Sequence, residues 1–273
     1  MKRILVTGGA GFIGSAFVRY QLRTYPETHI VVYDKMTYAG NLENLAEADP
    51  ARYTFVRGDI ADGDTLRGAL EGCDALVNFA AETHVDRSIL GAEEFLRTNV
   101  NGVYQICEAA KTLGTARVVL VSTDEVYGSI VEGAFPETAP LTPRNPYSAA
   151  KAGGELIGRS YFTTFGLPVL VTRGSNTYGA YQYPEKVLPL FTTNAIDGEP
   201  LPLYKGGERN VRDWLYVDDH CSGIDTVLRK GQLGEIYNIA GGNERENIML
   251  TRRILELTGR DESLIKLVPD RPG

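Results

Sequence analysis

The sequence predicts an α/β fold, a doubly wound parallel sheet with a smaller C-terminal lobe. Three observations predict it. Short apolar runs rich in Val, Ile and Leu recur through the first two thirds of the chain, as strands buried on both faces require. Helical patterns fill most of the intervals between them, and strands alternating with helices give a parallel sheet covered on both sides. A glycine-rich turn stands directly between the first strand and the first helix.

In chain order, Ile4-Leu5-Val6 is the first strand, and a helix runs from Phe12 to about Thr24. Ile30-Val31-Val32-Tyr33 is the second strand, ending at Asp34. Further strands fall at 53–56, 75–79, 118–121, 169–172 and 236–239. Leu96, Val100, Val103, Cys107 and Ala110 recur at helical spacing and mark one continuous helix. After Asn176 the rhythm weakens, and 178–209 is rich in proline and glycine before the chain returns to a strand at 211–217. The expected organisation is a dinucleotide-binding domain over 1–175, with 210–240 returning to it, and a substrate lobe built from 176–209 and 241–273.

A chain of 273 residues buries a substantial core, and 43% hydrophobic with 23% charged residues is the composition of an ordinary globular protein. The formal net charge of −7 leaves no basic surplus to displace counterions, which argues against nucleic-acid partners. No apolar run approaches a membrane span, and no signal peptide precedes the first strand. Cys73, Cys107 and Cys221 are widely spaced and show no metal-ligand pattern. Buried reduced thiols are the expectation, in keeping with a cytoplasmic protein without a metal.

Gly8, Gly11 and Gly14 give a Gly-x-x-Gly-x-x-Gly turn after the first strand. Glycines there permit positive φ and a close backbone approach to a pyrophosphate, which the following helix N-terminus then faces. Asp34 lies 20 residues beyond Gly14, at the end of the second strand. A carboxylate there accepts hydrogen bonds from the adenosine ribose hydroxyls and repels a 2′-phosphate, so NAD is expected over NADP. This is a Rossmann-type arrangement. Asp59-Ile60 after the third strand is a candidate for the adenine end. Phe79, Ala80 and Ala81 end the fourth strand where the dinucleotide crosses the sheet, and Asn99 is a candidate partner for a carbonyl or a water.

Tyr147 and Lys151 are four residues apart, so they share one face of a helix. A nearby ammonium favours the phenolate, which then accepts a proton from an alcohol undergoing oxidation. Thr123, at the end of the fifth strand, offers a hydroxyl to the same alcohol. Asp124 and Glu125 follow directly, and two adjacent carboxylates in a closed pocket divide acid and base roles when their environments differ. A hydroxyl, two carboxylates and a phenol–ammonium pair are what oxidation, proton abstraction and loss of a hydroxyl group together require.

These stretches carry a family resemblance. Thr7 to Gly14, Thr37 to Asn41, Gly58 to Ile60, Ala80 to Ser88, Ser122 to Gly128, Pro146 to Lys151, Tyr181 to Lys186, Val211 to Trp214 and Asp270 to Gly273 resemble the extended short-chain dehydrogenases/reductases. Within them the chain is similar to the dTDP-glucose 4,6-dehydratase family, because Thr123-Asp124-Glu125 carries both acids. Epimerases of this type have small or hydroxyl residues at the two acidic positions. GDP-mannose dehydratases and UDP-glucuronate decarboxylases usually keep only the glutamate.

The resemblance implies oxidation at C4 of a nucleotide-activated glucose, loss of water across C5 and C6, and reduction at C6. Tyr147, Lys151 and Thr123 serve the oxidation, Glu125 removes the C5 proton, and Asp124 protonates the leaving 6-hydroxyl. It adds Phe12, Ile13, Lys35, Thr37, Thr83 and Thr177 to the NAD contacts. For the nucleotide sugar it implies Thr83, Ser88, Thr123, Asn176, Lys186, Val187, Leu188, Pro189, Leu203, Tyr204, Arg212, Asn247, Asp270 and Arg271. Lys186 and Arg212 are the partners expected for a pyrophosphate. His84 and His220 have no role in this scheme and are expected to be structural. A homodimer through the helices 93–111 and 147–165 is also implied.

Two departures stand out. Thr177 occupies the place of the second Asn in the family's Asn-Asn-Tyr-Gly, beside the nicotinamide. The family also continues several dozen residues past the point that matches Gly273. That implies a fragment or truncated product, in which NAD binding outlasts catalysis. The readings left open are another nucleotide-sugar dehydratase or epimerase on the same scaffold, and a noncatalytic NAD-binding protein.

Overall fold

The computed structural model describes residues 1–270. The strands are β1 (Arg3–Thr7), β2 (His29–Asp34), β3 (Tyr53–Arg57), β4 (Ala75–Asn78), β5 (Arg117–Thr123), β6 (Val169–Gly174), β7 (Asn176–Tyr178), β8 (Leu201–Tyr204), β9 (Val211–Tyr216), β10 (Ile236–Ile239), β11 (Glu244–Glu246) and β12 (Ile265–Val268). The helices are α1 (Phe12–Thr24), α2 (Gly63–Leu70), α3 (Val85–Leu90), α4 (Glu93–Leu96), α5 (Val103–Leu113), α6 (Pro146–Phe165), α7 (Val187–Asp197), α8 (Val217–Lys230) and α9 (Asn247–Thr258).

The chain divides into two compact units. The first comprises Met1–Gly174 and Asp218–Ile239. Its seven-stranded sheet has the order β10-β6-β5-β4-β1-β2-β3, parallel throughout. The strand order reverses at β1, which pairs β2 on one side and β4 on the other. In open sheets of this kind, ligands bind outside the carboxyl ends of the strands at that reversal. Leu5, Val31, Leu76, Val118, Val169 and Val171 are almost wholly buried in the core between the sheet and its helices. Burial of each such side chain contributes about 1.5–3 kcal/mol.

The expected continuous helix after Leu96 is interrupted. Arg97–Gly102 makes π-type turns between α4 and α5. The widened turn carries Asn99, whose side chain donates to Glu82 O and accepts from Glu82 N, both at 2.9 Å. π-bulges concentrate at functional sites because the inserted residue re-aims its neighbours. Here it fixes the segment that follows β4.

The second unit comprises Ser175–Val217 and, of the residues described, 240–270. It contains a three-stranded sheet, β11-β9-β7, and a two-stranded one, β12-β8. Phe191, Ala195, Leu201, Leu203, Ile254 and Leu255 form its core. One expectation needs correction: residues 210–217 were expected in the larger unit. Instead β9 pairs with β7 and β11, and the chain re-enters the first unit at Asp218.

Candidate functional site

The glycine turn is shaped by close backbone approach. Gly8 has φ +66°, and a Cβ on it would lie 2.5 Å from Ala80 N. A Cβ on Gly14 would sit 2.2 Å from Gly8 O, so only glycine allows α1 to start this near the turn. No side chain caps α1 at Gly11, and its first turn holds no acidic residue. Its amide groups and positive dipole end therefore suit an anion. Phe12 and Ile13 open that helix, both half-buried.

Asp34 is 8% exposed. Its two oxygens accept from Ala10 N at 3.0 Å and Met36 N at 2.8 Å. Burial raises its pKa and the two amides oppose that. A carboxylate has about four lone-pair sites, so acceptor capacity remains for a ribose. Lys35 bridges to Asp59 at 3.0 Å, and Arg97 holds the same Asp59 oxygen at 2.7 Å. Those two cations and Ala61 N, working against burial, keep the Asp59 carboxyl below its usual range. Thr37 is exposed, whereas the Ile60 side chain is core, in the cluster with Leu5 and Tyr33. Phe79 packs on Phe17 at 5.2 Å, with Ala80 and Ala81 half-buried beyond it. The donors and the cradle fit a dinucleotide: a turn that Cβ atoms would fill, an uncapped helix start, and an aspartate at the next strand end.

At the end of β5, Val121 O accepts the Lys151 ammonium at 2.7 Å. α6 is well started: Asn145 caps it within a capping box with Ser148, and Pro146 opens the first turn. That rigid start sets Tyr147, which is 8% exposed and lies beside the Thr123 side chain. Thr123 donates to an Asp124 oxygen and accepts from Glu125 N, each at 3.3 Å. Asn145 Nδ2 donates to Glu125 at 3.3 Å. Thr123, Asp124, Glu125, Tyr147 and Lys151 thus converge on one place in the first unit. Burial, with Glu125 and then Asp124, pushes the Tyr147 phenol up, while Thr123 opposes. Burial pulls Lys151 down to about 8, and the Glu155 charge resists it.

Other expected residues are scattered. Thr83 is half-buried beside Glu82. Ser88 is only 1% exposed and donates within its own helix to Val85 O at 2.6 Å, which leaves its hydroxyl acceptor capacity alone. His84 caps α3. His220 is buried and held down at about 4 by desolvation, so it is neutral at physiological pH.

In the second unit, Asn176 and Thr177 lie on β7, where Thr177 donates to Ser175 O at 3.2 Å. Lys186 stands at the start of α7, and Val187, Leu188 and Pro189 form its first turn. Arg212 is exposed on β9, donating to Val211 O at 2.8 Å. It does not pair with its neighbour Asp213, whose carboxylate instead accepts from Gly241 N and Asn243 N at 2.6 and 2.7 Å. Leu203 is 3% exposed in the core, while Tyr204 is half-buried. Asn247 opens α9 and donates to Gly207 O at 2.9 Å. Beside it is a groove of about 550 Å³ lined by Gly206, Glu208, Arg209, Glu246, Ile248 and Arg252, which nothing in the local sequence marks. Asp270 is exposed, and Arg271 lies outside the described residues.

Asn145, Glu155 and Arg173 were missed by sequence reasoning. The only local signal was Asn before Pro at a helix start, which marks a cap and not a carboxylate partner.

Fold and site together define a dinucleotide-binding α/β protein with a Tyr–Lys pair beside two acids. Residues 5–271 match the family model described as GDP-mannose 4,6 dehydratase, and the chain belongs to that family. It is 54% identical to a dTDP-glucose 4,6-dehydratase of Streptomyces niveus, over 99% of this chain and 82% of that one. DesIV, a dTDP-glucose 4,6-dehydratase of Streptomyces venezuelae crystallised with NAD, superposes with a TM-score of 0.95. It is 53% identical, and the match covers 98% of this chain and 85% of that one. A UDP-glucose 4-epimerase of Thermotoga maritima reaches a TM-score of 0.90 at 29% identity, covering 99% of this chain and 87% of its own. The scaffold is therefore shared across reactions, and the chemistry has to be argued from the site.

Proposed function

We propose that this chain is an NAD-dependent hydro-lyase that converts dTDP-glucose to dTDP-4-keto-6-deoxyglucose. The observation that carries the reading is the Asp124–Glu125 pair, tied to Thr123 and set beside the buried Tyr147 phenol. The turn at Gly8 to Gly14, Asp34 and Lys151 hold NAD, which when bound accepts hydride from C4 and returns it at C6. Tyr147 takes the 4-hydroxyl proton, with Thr123 orienting that hydroxyl and Lys151 supplying positive charge. The ketone acidifies C5, where Glu125, oriented by Asn145, removes the proton. Asp124 protonates the departing 6-hydroxyl. In the second unit Lys186, at the start of α7, and Arg212 bind the pyrophosphate; Asn176 and Asn247 contact the rest of the nucleotide sugar.

Purified protein given dTDP-glucose should yield a product with the alkali-induced absorbance of a 4-keto-6-deoxy sugar. Product from another nucleotide sugar alone would reassign the base. Tightly bound NAD with no turnover on any of them would favour a noncatalytic role.

Asp34→Ala should weaken NAD about 10–100-fold by removing charge-assisted acceptors, and leave dTDP binding unchanged. Calorimetry with each ligand checks it, and equal NAD affinity would remove Asp34 from the ribose site. The active form is a homodimer through the helical segments 93–111 and 147–165, on which Tyr104, Leu156 and Phe165 are 40%, 53% and 55% exposed. Sedimentation as a monomer at micromolar concentration would exclude it. Reduced, separate thiols at Cys73, Cys107 and Cys221 support a cytoplasmic site of action.

A further inference from the structure

We propose that Glu155 is a positioning residue for Lys151, clamped by Arg173 and Ser122 so that a fixed negative charge stands one helical turn from the ammonium. The inference rests on the reading of Lys151 as part of the proton-transfer machinery. The Glu155 and Arg173 side chains are each 1% exposed. Arg173 donates through Nε at 3.0 Å and through a terminal nitrogen at 2.6 Å to one Glu155 oxygen, and Ser122 Oγ donates to the other. The remaining guanidinium surface is also used, by Glu137 O at 3.3 Å and by the Tyr127 ring, 4.6 Å from Cζ to centroid.

Burying an ion pair in a core of Leu and Val is a poor source of stability, because a well-packed apolar pair serves as well or better. What the pair does supply is geometry. It ties together β5 through Ser122, α6 through Glu155, β6 through Arg173, and the turn bearing Asp124 and Glu125 through Tyr127. Lys151 and Glu155 also line one small cavity of about 10 Å³, with Asn78, Asn99 and Ser122. A Cβ on Gly154, between them in sequence, would lie 2.3 Å from Asn99 O, so α6 presses closely here.

The charged and titratable groups around Lys151 are few. Its own helix supplies Glu155 and Tyr147, the turn after β5 supplies Asp124 and Glu125, and β6 supplies Arg173. β4 and the π-type turn contribute the neutral Asn78 and Asn99. On the elements packed beside α6, Arg97 is engaged by Asp59, Glu108 by Lys111 and Tyr161, and burial keeps the Cys107 thiol protonated, pushed up to about 12. Glu155, one turn along the same helix, is the charge that favours the protonated ammonium against its burial. Arg173 in turn keeps Glu155 from collapsing onto it.

The test is an NMR titration of the full chain with isotope-labelled lysine, the Lys151 signal being assigned by its loss in Lys151→Met. Glu155→Gln should lower the Lys151 midpoint and Arg173→Met should raise it, each by about one pH unit. A merely structural pair would not move the midpoint in opposite directions. If either single variant fails to fold, the charge-free Glu155→Gln/Arg173→Met protein decides, with a midpoint below the parent's expected. An unchanged midpoint there, or shifts of the same sign in the two single variants, would overturn the proposal. In turnover, Glu155→Gln should lose about tenfold on the alkaline side and little on the acid side. The NMR result stands even if dTDP-glucose is not the substrate, so the two readings fail separately.

Discussion

Tyr147→Phe should cut turnover of dTDP-glucose by about 10³-fold or more while leaving the fold and NAD affinity in place. The ring is buried and packs edge-on against Phe95, with centroids 6.5 Å apart, and Phe preserves that contact. What it removes is the hydroxyl beside Thr123 and the only phenol among the converging site residues. The size of the effect follows from the electrostatics. In the protein alone, burial and the adjacent Glu125 and Asp124 push the phenol's pKa up, so the phenolate is scarce at neutral pH. Positive charge has to reverse this, and Lys151, held at about 8, is still mostly protonated at pH 7. The sign for pH follows: a rate that needs the Lys151 cation is maintained below that value and declines as pH rises through it. Steady-state kinetics on the variant, with NAD affinity by calorimetry, checks the prediction. Normal turnover would move the proton transfer to another group.

How much was legible depended on the range of the interaction. The Gly8–Gly14 turn and Asp34 could be read because each need is local: a positive φ, a Cβ without room, and an acid at a strand end. The buried strands could be read because continuous Val, Ile and Leu runs have few other uses. Of the small sheet of the second unit only the strand at 211–217 could be read, and its place in that unit could not. Its strands are short and polar, and its pairing is distant, Asn176 opposite Trp214 and Val211 opposite Glu246. The helix from Leu96 was read as continuous because an inserted π-type turn leaves apolar spacing nearly unchanged while it redirects Asn99.

The site divides in the same way. Thr123, Asp124 and Glu125 are consecutive, and Tyr147 and Lys151 share a helix face, so their proximity is written in the chain. The partners that orient them, Asn145 for Glu125 and Arg173 for Glu155, meet across elements, 20 and 18 residues apart. Leu203 and Ser88 show the converse. The resemblance implies both as substrate contacts, yet strand alternation sends one into the core, and a helix turn uses the hydroxyl proton of the other.

Asp124→Asn separates dehydration from oxidation, and that separation makes it the sharper test of which reaction this scaffold performs. The carboxyl accepts from Thr123 at 3.3 Å, and an amide of the same shape keeps that hydrogen bond through its oxygen. An amide cannot deliver a proton to a leaving hydroxyl. Oxidation at C4 depends on Tyr147, Thr123 and Lys151, none of which is altered, so it should proceed at nearly the parent rate. Loss of the 6-hydroxyl should slow by about 10²-fold, and overall turnover with it. Glu125→Gln should stall one step earlier, at the C5 proton, with Asn145 left facing an amide in place of a carboxylate. On rapid mixing with dTDP-glucose, both variants should accumulate reduced cofactor, seen in its near-ultraviolet absorbance, where the parent shows little. Exchange of the C5 hydrogen with solvent should persist in Asp124→Asn and vanish in Glu125→Gln. An epimerase needs neither acid, because it returns hydride to the carbon that lost it. Unchanged elimination in Asp124→Asn would therefore remove the argument that separates this chain from the epimerases sharing its fold.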